Sequence, residues 1–188
     1  EDVGLAGTAA IESGASVEDV LAISSTMTTV GRRAEKPEMA VPFLTAAVKA
    51  SEGATDEGIL RSRKMILIDH AMIVDKDPAK ALQFKRDSMP EGWQTSPPQL
   101  NDFAWWCFEN RLSLDEALEM ARQGAELAEP GPDRAMILDT AAEICLARGG
   151  CEDAVELARQ AAKEDPNRQY FKDQLARFEK ELAAKAGK

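Results

Sequence analysis

Displacing the sequence by 37 residues lays Glu116-Ala-Leu-Glu-Met-Ala-Arg-Gln-Gly-Ala125 onto Asp153-Ala-Val-Glu-Leu-Ala-Arg-Gln-Ala-Ala162 without a gap. The same shift carries Ala104 onto Ala141, Trp105 onto Ala142 and Phe108 onto Cys145, so two successive segments repeat together. A period of this length marks stacked supersecondary units, because a single helix pair leaves an apolar face that only a neighbouring pair covers. Composition points the same way. Aromatics make up 5% of the 188 residues, and β-branched residues rarely alternate, which favours an all-α chain over sheet.

Helix punctuation is regular from Ser16 onward. Ser16 is placed to cap a helix reaching about Arg33, and Pro37 to open a second with Ala40, Phe43, Leu44, Ala47 and Val48 on one face and a mild kink at Pro42. Thr55-Asp56-Glu57 opens a third, reaching about Asp75 with Leu60, Leu67, Ala71 and Val74 in its apolar stripe. Asp77-Pro78 opens a shorter fourth. The loop from Met89 to Pro98, with three prolines and Gly92, is the clearest internal boundary. Beyond it come a helix from Leu100 to about Asn110, a capping box at Ser113-Leu-Asp-Glu116, a break at Gly131-Pro132 and a turn at Gly149-Gly150. A last helix from Asp165-Pro166 carries Phe171, Leu175, Phe178 and Leu182 on one face. Residues 1–15, rich in Ala, Gly, Ser and Thr, read as a flexible linker. The start at Glu1, without Met or a signal-peptide pattern, suggests a processed product or an excised piece.

The later repeat, Leu138-x2-Ala141-Ala142-x2-Cys145, then Gly149, then Ala154-x3-Ala158-x2-Ala161-x4-Pro166, resembles a tetratricopeptide repeat. Small residues at Ala142, Ala154 and Ala161 let antiparallel helices approach closely, and Pro166 stops the second helix. The earlier unit departs from the family pattern, with Asn101 at a large apolar position, Trp105 at a small one, and Glu129 rather than Pro130 at the stop. The resemblance implies a right-handed α-α superhelix of about four helix pairs, at residues 16–51, 55–88, 100–128 and 133–164, closed by a capping helix over 166–184. It covers 100–168 closely and the earlier chain only through Ala40-x3-Leu44-x2-Ala47 and the Ala79 to Phe84 helix. The segment Met89 to Trp93 with Leu100 to Asn110 is also similar to the helical tail that follows a thioredoxin-like domain in some bacterial proteins. That resemblance implies an accessory role beside a thiol-disulfide enzyme, presenting substrates or dimerising it. It alone favours an extracytoplasmic, periplasmic setting over the cytoplasm.

The residues offer little chemistry. His70 is the only histidine, which excludes a paired-histidine metal site. It shares a helix face with Arg63 and Asp77, and reads as a surface or hydrogen-bonded structural residue; a hydrolase would require it to be essential. Cys107, Cys145 and Cys151 show no metal spacing and no Cys-x-x-Cys pair, and read as buried thiols, although a hairpin at Gly149-Gly150 could bring the last two near one another. Trp105 and Trp106 lie about 100 degrees apart on a helix, so they face different neighbours. No phosphate loop, nucleophile elbow or calcium loop is present, and no metal or cofactor is expected.

Charge disfavours polyanionic partners. The formal net charge of -10 is wrong for displacing phosphate counterions from nucleic acid or an anionic membrane. Met65 to Val74, the longest apolar stretch, is interrupted by Asp69 and His70 and is too short to span a bilayer. Ser113 to Asp165 holds 13 acids against 5 bases, whereas Glu57 to Arg86 holds 7 bases against 4 acids. The resemblance then implies a non-catalytic interaction module holding a peptide or partner domain on its stacked first helices, around Arg61, Lys64, Asn101, Arg134 and Glu143.

Overall fold

The computed structural model describes residues 2–186. Among these the chain is all-helical and resembles a helical repeat in its element spacing, with no strand. It divides into two compact units, Glu1–Met89 and Pro90–Lys188, within the proline-rich loop.

The amino-terminal unit contains α1 (Asp2–Glu12), α2 (Val17–Arg33), a 3₁₀ turn (Pro37–Ala40), α3 (Val41–Ala50), α4 (Glu57–His70), a π turn (Ala71–Asp75) and α5 (Pro78–Ser88). The first helix corrects the expectation of a linker over residues 1–15. Large apolar groups are scarce there because contact is made by close approach. A Cβ on Gly7 would stand 2.9 Å from the Phe43 ring and 3.0 Å from Ile23 Cγ2, and one on Gly4 would stand 3.7 Å from Met27 Cε. Ser16 caps α2, its hydroxyl accepting from the Asp19 amide, as Asp56 does for α4 at Gly58 and Ile59. Pro42 does not kink a helix. The 3₁₀ turn takes up Pro37, and Pro42 falls in the first turn of α3, where no intrahelical N–H is lost. Val20, Leu21, Ala40, Leu44, Ala47 and Ile66 form one cluster of the core. Arg63 of α4 donates to the Val48 carbonyl and to Ser51 Oγ, both at 2.6 Å, satisfying the carboxy-terminal end of α3.

The carboxy-terminal unit contains a 3₁₀ turn (Trp93–Thr95), α6 (Pro97–Asn110), α7 (Leu114–Leu127), α8 (Pro132–Ala147), α9 (Cys151–Glu164) and α10 (Gln169–Ala186). The 37-residue period is structural: α7 and α9 begin and end 37 positions apart, and α6 and α8 end 37 apart. Helix α8 is the centre. Its buried residues, Ala135, Ile137, Leu138, Asp139, Thr140, Ala141, Ala142, Ile144 and Cys145, run around the whole circumference, because neighbours pack on it from α6, α7, α9 and α10.

Two local expectations differ here. Ser113 makes no capping hydrogen bond, because Arg111 and Ser113 both take left-handed backbone (φ 54 and φ 45) to close the short α6–α7 turn, which swings the hydroxyl out of capping position. Helix α10 starts at Gln169 rather than at Pro166, since Asp165 to Arg168 forms a turn with the Arg168 amide donating to the Asp165 carbonyl.

Small residues set the helix spacing. Gly124 of α7 occupies the repeat position of Ala161, and a Cβ there would meet Leu100 Cβ, Ile137 Cγ2 and the Pro97 carbonyl, each at 3.4 Å. Gly124→Ala is therefore expected to fit and to stabilise the unit by up to about 1 kcal/mol through helix propensity. Gly124→Leu should cost about 1–3 kcal/mol or more by overpacking. Urea unfolding of both variants checks this; equal effects of one sign would contradict the packing account.

Candidate functional site

Buried charge concentrates where α10 lies on α8. Asp139 is 4% exposed, its Oδ2 accepts the Tyr170 hydroxyl at 2.8 Å, and its Oδ1 is buried without a hydrogen-bond partner. One turn further along α8, Glu143 accepts from the Arg177 guanidinium, whose plane also covers the Phe178 ring at 4.3 Å and whose Nη1 lies 3.4 Å from Glu181. Burial raises the pKa of Asp139 above the ordinary carboxylate value, opposed by the Tyr170 hydrogen bond and the charges of Arg177 and Arg168. Burial also raises Glu143, opposed by Arg177 and reinforced by Asp139 and Glu181.

These shifts fix a pH dependence. A carboxyl whose folded pKa is raised keeps its proton longer in the folded state, so its contribution is greatest at low pH and is lost as pH rises through the folded value. Asp139→Asn retains an acceptor for Tyr170 and removes the buried charge. Wild-type melting temperature is expected to gain more than that of Asp139→Asn when pH falls from about 7 to about 5. Equal gains in the two proteins would sink this assignment.

At the other end of α8 a cleft of about 390 Å³ opens between α6, the end of α7 and the start of α8. Pro97, Pro98, Ala128 and Ile137 line it, Leu127 (49% exposed) and Met136 (37% exposed) stand at its mouth, and exposed Glu129 and Asp133 contribute carboxylates. Asn101 also lines it, and its Oδ1 is buried with no hydrogen-bond partner. Gly124 of α7 faces three residues of this region, Leu100, Pro97 and Ile137, which a Cβ added there would meet at 3.4 Å.

The sequence-nominated residues separate. Arg61 and Lys64 are exposed on α4 in the amino-terminal unit, while Asn101, Arg134 and Glu143 belong to the carboxy-terminal unit. Arg134 and Glu143 are nine positions apart on α8, which puts them about half a turn apart around the axis. Arg134 accordingly pairs through its buried Nε with Glu164 of α9 at 3.7 Å, an ion pair too long for a hydrogen bond, while Glu143 meets α10. Asn101 alone of the three lines the cleft. Missed by sequence reading were Asp139, Tyr170, Arg177 and the mouth residues Leu127 and Met136. An acid inside the apolar run from Ala135 to Ile144 was the available signal for Asp139.

The other candidates are packed locally. His70 Nδ1 lies 3.3 Å from Asp75 Oδ1, and Asp75 Oδ2 accepts from Lys80 at 2.7 Å, a cluster formed where the π turn follows α4. The Lys80 hydrogen bond lowers the Asp75 pKa. Cys107, Cys145 and Cys151 are all buried and in no disulfide bond, and burial raises the Cys145 thiol, which leaves little thiolate. Trp105 is 38% exposed and packs on Phe108 at 5.1 Å, whereas Trp93 of the proline loop packs on Phe103 at 5.0 Å. Among the described residues no group of three or more His, Cys, Asp or Glu is placed to hold a metal ion. No helix among them is long and apolar enough to cross a membrane. No protein-family model, curated protein or solved structure matches the chain.

Proposed function

We propose that the chain is a non-catalytic protein-interaction module built of tetratricopeptide-like helix pairs, with α10 as the capping helix of a right-handed superhelix. Its carboxy-terminal unit holds a segment of another protein. The observation that carries this reading is the 37-residue periodicity of α6–α7 and α8–α9 together with the exposed Trp105, Leu127, Met136 and Tyr170 on that unit. Stacked helix pairs present continuous surfaces, and exposed large apolar groups beside a cleft are what a partner side chain buries. Metal- and thiol-based chemistry are not part of the reading, since the thiols are buried and His70 is taken up by Asp75.

The test is a peptide array and a pull-down with the full chain, after circular dichroism has established that it is folded. Saturable binding of particular peptides at one site per chain is the expected result. A folded chain that retains no peptide or protein sinks the proposal.

A further inference from the structure

We propose that the cleft between α6, the end of α7 and the start of α8 takes one apolar side chain of a basic protein segment, the flanking Lys or Arg residues pairing with Glu129 and Asp133. This rests on the interaction-module reading and names the partner's chemistry.

Three observations converge on that occupant. First, the cleft is apolar and open, with Leu127 at 49% and Met136 at 37% exposure around Pro97, Pro98 and Ile137. Its volume of about 390 Å³ has room for a large apolar side chain together with the backbone on either side of it. An apolar anchor desolvated in such a pocket is the usual centre of an interface. Second, the buried Asn101 Oδ1 has no hydrogen-bond partner in the chain. An amide oxygen out of water without a donor is costly. Because this one is closed to solvent in the free chain, a main-chain N–H beside the anchor satisfies it only with a small opening of the cleft wall on binding. Third, Glu129 and Asp133 form no ion pair among the described residues, and the adjacent Arg134 is already engaged by Glu164. The stretch from Ser113 to Asp165, to which both carboxylates belong, carries 13 acids and 5 bases, a net negative charge that favours a basic segment over an acidic one.

The experiment uses the full chain and fluorescence polarisation of labelled synthetic peptides. One probe has a single Leu flanked by Lys and Arg; a second replaces that Leu by Ser; a third replaces the bases by Glu. The first should saturate, and the other two should bind at least about tenfold more weakly. The surface double variant Glu129→Lys with Asp133→Lys should weaken the first peptide by about tenfold or more in low salt, with the difference shrinking as salt is added. Asn101→Ala should weaken it severalfold while leaving the salt dependence unchanged.

Undiminished binding of the basic peptide to the double variant overturns the proposal, as does indifference to the Leu to Ser change or preference for the acidic peptide. A display library of random peptides separates the two levels of failure. Binders that photo-crosslink away from the cleft overturn this inference and leave the interaction module standing. Retention of no peptide by the folded chain removes both.

Discussion

Truncating Phe171 to alanine is expected to destabilise the carboxy-terminal unit by about 3–5 kcal/mol. Phe171 is 1% exposed and inserts from α10 among Ala125, Ala135, Ile137, Leu138 and Ala161. Three of those neighbours are alanines with no side chain to extend, so the space left behind cannot collapse and the cost falls high in the usual range. The loss also removes the ring contacts with Tyr170 at 5.2 Å and with the Arg168 guanidinium at 5.3 Å. Urea unfolding followed by circular dichroism measures it. A loss under about 1 kcal/mol with an unchanged denaturant slope would mean that α10 is not packed as described.

Leu44→Ala is the corresponding change in the amino-terminal unit, with an expected loss of about 2–5 kcal/mol. Leu44 is fully buried on α3 among Val20, Leu21, Ala40, Ala47 and Ile66, with Ile59 and Ile73 at the edge. Ala40 and Ala47 again leave the cavity unfilled. Native-state hydrogen exchange should show protection falling in α2, α3 and α4 together, because that side chain joins all three. Loss of protection confined to α3 would argue against a shared core.

How much of this was legible beforehand depended on whether a feature was local. The helix starts at Ser16 and Asp56 were readable, since a capping side chain and the amides it serves lie within three residues. The period linking α7 to α9 was readable because the same small residues recur at Ala117 and Ala154 and at Ala121 and Ala158. Helix α1 was not, because Gly7 contributes by lacking a Cβ against Phe43, and composition registers that as flexibility. The Ser113 capping box failed for a related reason: the α6–α7 turn is three residues long, and closing it imposed a left-handed backbone at the would-be cap.

The candidate site was less legible than the helices around it. Asn101 was singled out as a polar residue at an apolar position, and in the structure it is the one nominated residue that lines the cleft. Glu143 and Arg134 were also singled out, yet they face α10 and α9 and are occupied there.

By itself the sequence determined an all-helical chain, a boundary in the proline-rich loop and the two helices that repeat every 37 residues, because propensity, caps and apolar period are properties of contiguous residues. Only the tertiary structure decided that Asp139 meets Tyr170 from 31 positions away, that Arg63 closes the end of α3, and that Asn101 is left without a partner beside an open cleft. Those outcomes depend on how far each helix is rotated when it stacks, and that rotation is set by many side chains packing at once.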